Sequence, residues 1–320
     1  MRRYDRPEGE EPPPKPYAFV PIPEARAEQK HPAGHDLYKE GLLTGSIAGL
    51  LVALSPVHVA SGNVELTSGK PSLVRAHFRR NGRPTIPGSS LKGAIRSIVE
   101  AISQPPSCLR VTKAPSAQLP PSAERCRKKE RLCIACQMFG AMDYMGQVRF
   151  ADALLPSGMT ETAHIPSLFA PRPRERVYLE RGLVKGRKFY VHGQRGRVAH
   201  GNVPIETCPA GSQFPLSVQF ENLEPKQLTL LLIAMGQGQP RLFPKLGGGK
   251  PACCGSVEIK DVVVTILPVR DSALNFETEP RSEDLTTLLT VTSAINPDSL
   301  ERLAQILKYP GERECQSGSY

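Results

Sequence analysis

The chain has 320 residues and 39% are hydrophobic, enough for a substantial core in one large domain or two modest ones. Its 32 prolines and 27 glycines exclude a helical bundle or coiled coil and point to short elements joined by long loops. Lys and Arg outnumber Asp and Glu by 41 to 31, a balance suited to a polyanion partner, and no apolar run approaches the roughly 18 residues of a membrane span.

The opening, Met1-Arg2-Arg3-Tyr4-Asp5, leads into charge and proline, so no secretory signal is expected and the protein is expected in the cytoplasm. There, a close cluster among its eight cysteines is expected to bind metal and not to form disulfides. Residues 1–44 read as a Pro-rich arm, a short apolar edge segment at 17–23, and a polar stretch with no assignable element. Residues 45–102 read as the first half of a core. The apolar run at 46–59 predicts a buried strand, and 60–84 predicts a polar, basic loop. Ile86-Pro87-Gly88 then breaks the chain, and Ser89 or Ser90 caps a helix through Ile102 whose apolar face carries Leu91, Ile95, Ile98 and Ile102. Residues 103–140 are a cysteine-bearing insertion, and 141–156 contain a core strand at 148–153. Residues 157–210, rich in Arg, Pro and Gly, form a long insertion that is either a mobile lobe or a binding element. Residues 211–269 supply the second half of the core: an alternating strand with Phe214, Leu216, Val218 and Phe220 on one face, a helix at 225–235, a glycine-rich loop at 236–255 and a last strand at 256–269. Residues 270–320 read as a polar tail with one helix at 297–308. The order strand, helix, strand, strand, helix, strand defines an α+β fold with a ferredoxin-like, RRM-like βαββαβ core and large insertions.

Three motifs carry chemistry. Ile86-Pro87-Gly88-Ser89-Ser90-Leu91-Lys92-Gly93-Ala94-Ile95-Arg96 runs from a Pro-Gly turn straight into a helix. The exposed amides of that first turn suit an anion, with Ser89, Ser90 and Lys92 beside them and Arg96 one turn beyond. Leu246-Gly247-Gly248-Gly249-Lys250 lets a backbone approach a ligand closely and adds a charge. Phe139-Gly140 and Gly146-Gln147-Val148-Arg149-Phe150-Ala151-Asp152-Ala153 form a glycine turn and a strand, where Asp152 is expected to satisfy backbone amides.

In this order and on these elements, the motifs resemble those of the RAMP superfamily of CRISPR-associated proteins, in particular backbone subunits of type III effector complexes. The resemblance spans about residues 45–268, and the segments at 16–21 and 186–190 are also similar to members of this group. It implies an RRM-like fold that holds CRISPR guide RNA. Ser89, Ser90, Lys92 and Arg96 match the family's helix start, with Lys92 and Arg96 as phosphate contacts, and Gly247, Gly248, Gly249 and Lys250 match its glycine-rich loop. It also implies a thumb that interrupts the guide–target duplex. The 157–210 insertion fits that role, with Arg172, Arg174, Arg176, Arg187 and Lys188 among its cations, interleaved with Phe169, Tyr178, Phe189 and Tyr190. The implied partners are guide RNA, complementary target RNA, neighbouring backbone and cap subunits and the large polymerase-like subunit, with no membrane.

Cys133-Ile134-Ala135-Cys136 is a C-x₂-C knuckle, preceded by Cys126 and Cys108. Four thiolates close a tetrahedral zinc site that is structural because no position stays open. His164 is the alternative to Cys108 as fourth ligand. Cys208, Cys253, Cys254 and Cys315 lack ligand spacing and read as packing residues. Target-cutting members of the family carry an Asp about a dozen residues before the Ile-Pro-Gly-Ser-Ser turn. The matching place here is near Pro71, Ser72 and Leu73, and no acid lies between Glu65 and Pro87. A binding subunit without its own cleavage is therefore expected. Glu65, His77 and Asp143 are the candidate residues, and Mg²⁺ the cofactor, if it does cut target RNA. The other enzymatic alternative is a free-standing RNA-processing RAMP ribonuclease. It would want a histidine pair, and His58 and His77 have no second catalytic motif beside them.

Overall fold

The structure is a computed structural model that describes residues 15–67, 69–109, 119–168, 177–268 and 279–315. In its N-terminal half the strands are β1 (Tyr17–Pro21), β2 (Leu43–Ala53), β3 (Ala60–Leu66), β4 (Leu73–His77), β5 (Arg79–Arg80), β6 (Arg83–Ile86), β7 (Val148–Phe150) and β8 (Ala153–Leu154). There follow β9 (Glu161–Ile165), β10 (Leu179–Glu180), β11 (Leu183–Val184), β12 (Gly186–Tyr190), β13 (Val203–Thr207), β14 (Gln213–Leu223), β15 (Val257–Ile266) and β16 (Arg281–Glu283). The longer helices are α1 (Gly88–Ile102), α2 (Ile134–Phe139), α3 (Pro225–Ala234) and α4 (Pro297–Ile306). None among the described residues is long and apolar enough to cross a membrane.

Period-two alternation builds the main sheet. In β14 the side chains of Phe214, Leu216, Val218 and Phe220 are buried, while Gln213, Pro215, Ser217 and Gln219 are exposed. β14 pairs antiparallel with β2, from Gln213 opposite Val52 to Phe220 opposite Gly45. β15 lies on the other side of β2, β7 lies beyond β14, and β16 closes the far edge. Taken as the four core strands, β2, β7, β14 and β15 therefore stand in the order fourth, first, third, second, which is the ferredoxin-like arrangement. α1 and α3 lie against each other and share one apolar core with Ile47, Leu51, Phe214 and Val218. α3 starts on Pro225 with a reciprocal cap between Glu224 and Gln227, and it is buried almost all round.

The departures from expectation concern the connections. β2 ends at Ala53, before Pro56 can interrupt the ladder, and Val57 pairs instead with Cys208. Residues 60–84 are not a loop: β3 and β4 form a hairpin, with β5 and β6 following. The hairpin escaped sequence reading because β3 is almost wholly exposed and so carries no apolar alternation. The 157–210 insertion contributes β9 and β13 to that hairpin, giving a second sheet in the order β3-β4-β13-β9 over a small core of Ile165, Ala199, Ile205, Ala252 and Cys254. The apolar segment at 17–23 is no edge of the main sheet. Its strand β1 pairs with β12, Tyr17 opposite Tyr190 and Pro21 opposite Gly186. Cys253 and Cys315, read as packing residues, form a disulfide that ties the C-terminal segment to the glycine-rich loop. The arm at 1–14, Phe169, Arg172, Arg174 and Arg176, and residues 269–278 lie outside the described residues.

Candidate nucleic-acid groove and metal centre

The Pro-Gly-Ser-Ser turn is shaped by close packing. A Cβ on Gly88 would lie 2.1 Å from the carbonyl oxygen of Phe150, so only glycine lets α1 begin against the end of β7. Asp152, just beyond β7, accepts a hydrogen bond from the Gly88 amide at 2.8 Å and pairs with Arg80. Its expected role toward backbone amides is thus seen, and it occupies the first amide of α1. The apolar stripe of α1 faces the core. Its opposite face presents the small residues Ser89, Ser90, Gly93, Ala94 and Ser97 to a groove of about 390 Å³.

The glycine-rich loop forms the facing wall, with Lys245, Leu246, Gly247 and Lys250 lining the groove. A Cβ on Gly247, where φ is +71°, would lie 2.1 Å from the carbonyl oxygen of His58. The next amide, that of Gly248, donates to the same oxygen at 2.7 Å. Gly249 takes a left-handed conformation and leads into a tight turn at Lys250–Ala252. β12 supplies the third wall through Lys188, Phe189 and Tyr190. The Lys188 ammonium lies 4.7 Å from the ring centroids of both Tyr17 and Tyr190 and 5.2 Å from that of Tyr178, which stacks on Tyr17. The groove thus joins hydroxyls, ammonium groups and aromatic faces, the elements that suit a single-stranded polyanion.

The expected contacts separate into two groups. Ser89, Ser90, Lys188, Gly247 and Lys250 line the groove; Gly248 and Gly249 shape the loop behind it. Lys92 is half-buried on α1 and does not line it. Arg96, expected at the phosphate, is only 7% exposed and points into the protein. Arg187 is paired with Glu100 and donates to Ser97 at 2.8 Å, which fastens β12 to α1.

Lys245 is a groove residue that sequence reading missed; its signal was a second lysine flanking the glycine run. Burial, helped by the nearby charges of Lys250 and Arg313, lowers it from 10.5 to about 7. Burial lowers Lys250 as well. Because the folded value of Lys245 is depressed, the stability linked to it is complete above 10.5 and lost as pH falls through about 7. A phosphate in the groove restores the proton, so polyanion binding between those limits takes one up. Affinity is expected to fall with rising pH above about 7, by up to roughly tenfold per unit for one proton. Binding titrations from pH 6 to 9 check this, and Lys245→Met is expected to flatten the profile.

The four cysteines converge. The sulfurs of Cys108, Cys126, Cys133 and Cys136 are buried and lie within 4.8 Å of one another. Cys108 Sγ is 3.4 Å from Cys136 Sγ, 3.6 Å from Cys133 Sγ and 3.9 Å from Cys126 Sγ. A tetrahedral centre with metal–sulfur bonds of about 2.3 Å has sulfur edges of about 3.8 Å, so the set can hold a metal such as zinc. Cys133 caps α2 and Cys136 lies in its first turn, so the knuckle is a helix start. The Cys133 amide donates to Cys126 Sγ at 3.3 Å. Hydrogen bonding with the other three cysteines, Cys108 foremost, holds Cys133 well below the ordinary thiol range. Cys108 completes the set; His164 lies on β9, its backbone opposite Pro204 and its ring near His200.

The candidate catalytic residues do not come together. Glu65 lies opposite Val74 in the exposed hairpin, and Asp143 lies in the exposed turn between Ala141 and Tyr144. His77 is 1% exposed, pushed down to about 4 chiefly by burial, and accepts the Val59 amide on Nδ1.

Fold and groove together define an α+β protein of ferredoxin-like topology with a basic, hydroxyl-lined channel and a four-thiol centre. The RAMP superfamily sequence profile matches residues 50–258, well over half of the chain, and the protein belongs to that superfamily. It is accordingly a CRISPR-associated RNA-binding protein, of a kind that binds CRISPR RNA within multi-subunit complexes. No curated protein matches the chain closely enough to count as a relative.

Proposed function

We propose that this protein is a backbone subunit of a type III antiviral CRISPR effector complex, acting in the cytoplasm. It grips guide phosphates in the groove and presents the 157–210 lobe to the guide–target duplex. The observation that carries this reading is the convergence of Ser89, Ser90, Lys188, Gly247 and Lys250, from three distant parts of the chain, on one channel. Its partners are then guide and target RNA, neighbouring backbone and cap subunits and the large polymerase-like subunit. Zinc in the four-cysteine centre holds the 103–140 insertion on the core. Affinity purification from cells carrying its CRISPR locus tests the proposal: a small RNA of discrete length and the partner subunits are expected to co-purify. Protein recovered free of RNA and partners under those conditions would overturn it.

On this reading the subunit binds guide RNA without cutting target RNA at its own loop, leaving cleavage to sibling subunits. Attack of a ribose 2′-oxygen on its phosphodiester calls for a base or metal-holding carboxylate at the scissile bond. Residues 69–77 hold no carboxylate, and His77, the one candidate base among them, is buried and turned inward. Reconstituted complex with labelled complementary RNA and Mg²⁺ is expected to show no cut beside this subunit. A cut there that Glu65→Ala or His77→Ala abolishes would reverse the conclusion.

A further inference from the structure

Arg96 is the final residue of the helix-start motif, yet it makes its contacts behind α1. Its Nε donates to Glu100 Oε1 at 2.6 Å, Nη1 to the carbonyl oxygen of Gly140 at 2.7 Å, and Nη2 to the sulfur of Cys136 at 3.4 Å. Gly140 ends α2, the helix that begins at the C-x₂-C knuckle. One guanidinium therefore holds both ends of the segment that carries Cys136. Glu100 fixes that guanidinium in turn, and Arg187 lies on the other oxygen of the same carboxylate.

A divalent ion held by four thiolates carries a net charge of −2 inside the protein. Donors to the ligating sulfurs orient them and offset that charge, and such outer groups typically govern metal affinity by 10–100-fold. We infer that Arg96 is a positioning residue of the four-cysteine metal centre, donating to Cys136 and clamping α2, and is not a phosphate contact. The inference rests on the reading of the cysteine cluster as a metal site.

The test measures metal binding and RNA binding separately on the full chain. Zinc affinity is obtained by chelator competition, and Co²⁺ loading reports the sulfur shell through its sulfur-to-metal charge-transfer and d–d bands. Arg96→Gln is expected to weaken zinc by about 10–100-fold and to shift the cobalt bands. Arg96→Lys, which keeps the charge, is expected to recover part of the loss. Arg96→Gln with Glu100→Gln removes the buried carboxylate along with the guanidinium and leaves Arg187 its hydrogen bond to Ser97; it is expected to bind zinc as weakly as Arg96→Gln. In the single Arg96 variants the salt dependence of single-stranded RNA binding is expected to keep its slope. Wild-type zinc affinity in both Arg96→Gln variants would overturn the inference, as would a slope shallower by about 0.7 with metal binding intact, the mark of a lost phosphate contact. Wild-type protein that binds no metal would overturn the metal reading as well.

Discussion

Replacing Cys133 and Cys136 together by serine is expected to abolish metal binding and to destabilise the whole protein. Structural zinc sites supply roughly 10–16 kcal/mol of apparent binding energy at neutral pH, against about 5–15 kcal/mol for the net stability of a typical domain. The loss would not stay local. Leu132, Ile134, Met138 and Phe139, which flank or lie between the ligands and the Gly140 turn, belong to the same core cluster as α1 and β14. Freeing α2 would expose that apolar surface. Elemental analysis is expected to find about one zinc per chain in the wild type and none in the variant, with a sharply lower melting temperature or loss of solubility. A metal-free protein with an unchanged melting curve would dispose of the idea. Because the thiols must lose their protons to bind, acidification is expected to release metal, with a melting curve that converges on the variant's.

The elements with strong periodicity were legible in the sequence. β14 announces itself by four alternating apolar residues, α1 by its 3.6-residue stripe, and α3 by Pro225 and an apolar run; together with β2 and β15 they specify the core order. The four-cysteine cluster was legible through the Cys133–Cys136 spacing, although only the fold places Cys108, and not His164, beside the other three. What stayed hidden depends on tertiary pairing. The β3–β4 hairpin has an exposed surface, and its partners β9 and β13 come from about 90 to 130 residues away, a register that no local pattern encodes. Arg96 shows a different limit. A basic residue one helical turn beyond Lys92 shares its side of an ideal helix, but its depth depends on what packs there, and α2 brings Cys136 and Gly140 to it. The Cys253–Cys315 bond was likewise invisible, since 62 residues separate its partners and the compartment argued against it.

Lys188→Gln combined with Lys250→Gln is expected to produce the largest loss of RNA binding. Both ammonium groups line the channel, and neither has a carboxylate partner among the described residues. Lys188 is held instead by ring faces and by the Tyr190 hydroxyl at 3.1 Å, so its charge is positioned without being neutralised. Lys250 is lowered by burial alone, which marks a cation whose environment favours an arriving anion. Hydrogen bonds to charged groups contribute about 1.5–3 kcal/mol each, so the double variant is expected to bind roughly 100-fold or more weakly. Phosphates carry no sequence information, so unrelated guide sequences are expected to lose affinity alike. The slope of log affinity against log salt is expected to become shallower by about 1.4, two single-strand contacts' worth. Titrations at several salt concentrations with two unrelated RNAs decide it. A loss confined to one sequence would mean that these lysines read bases, and an unchanged slope would mean that the guide runs elsewhere on the protein.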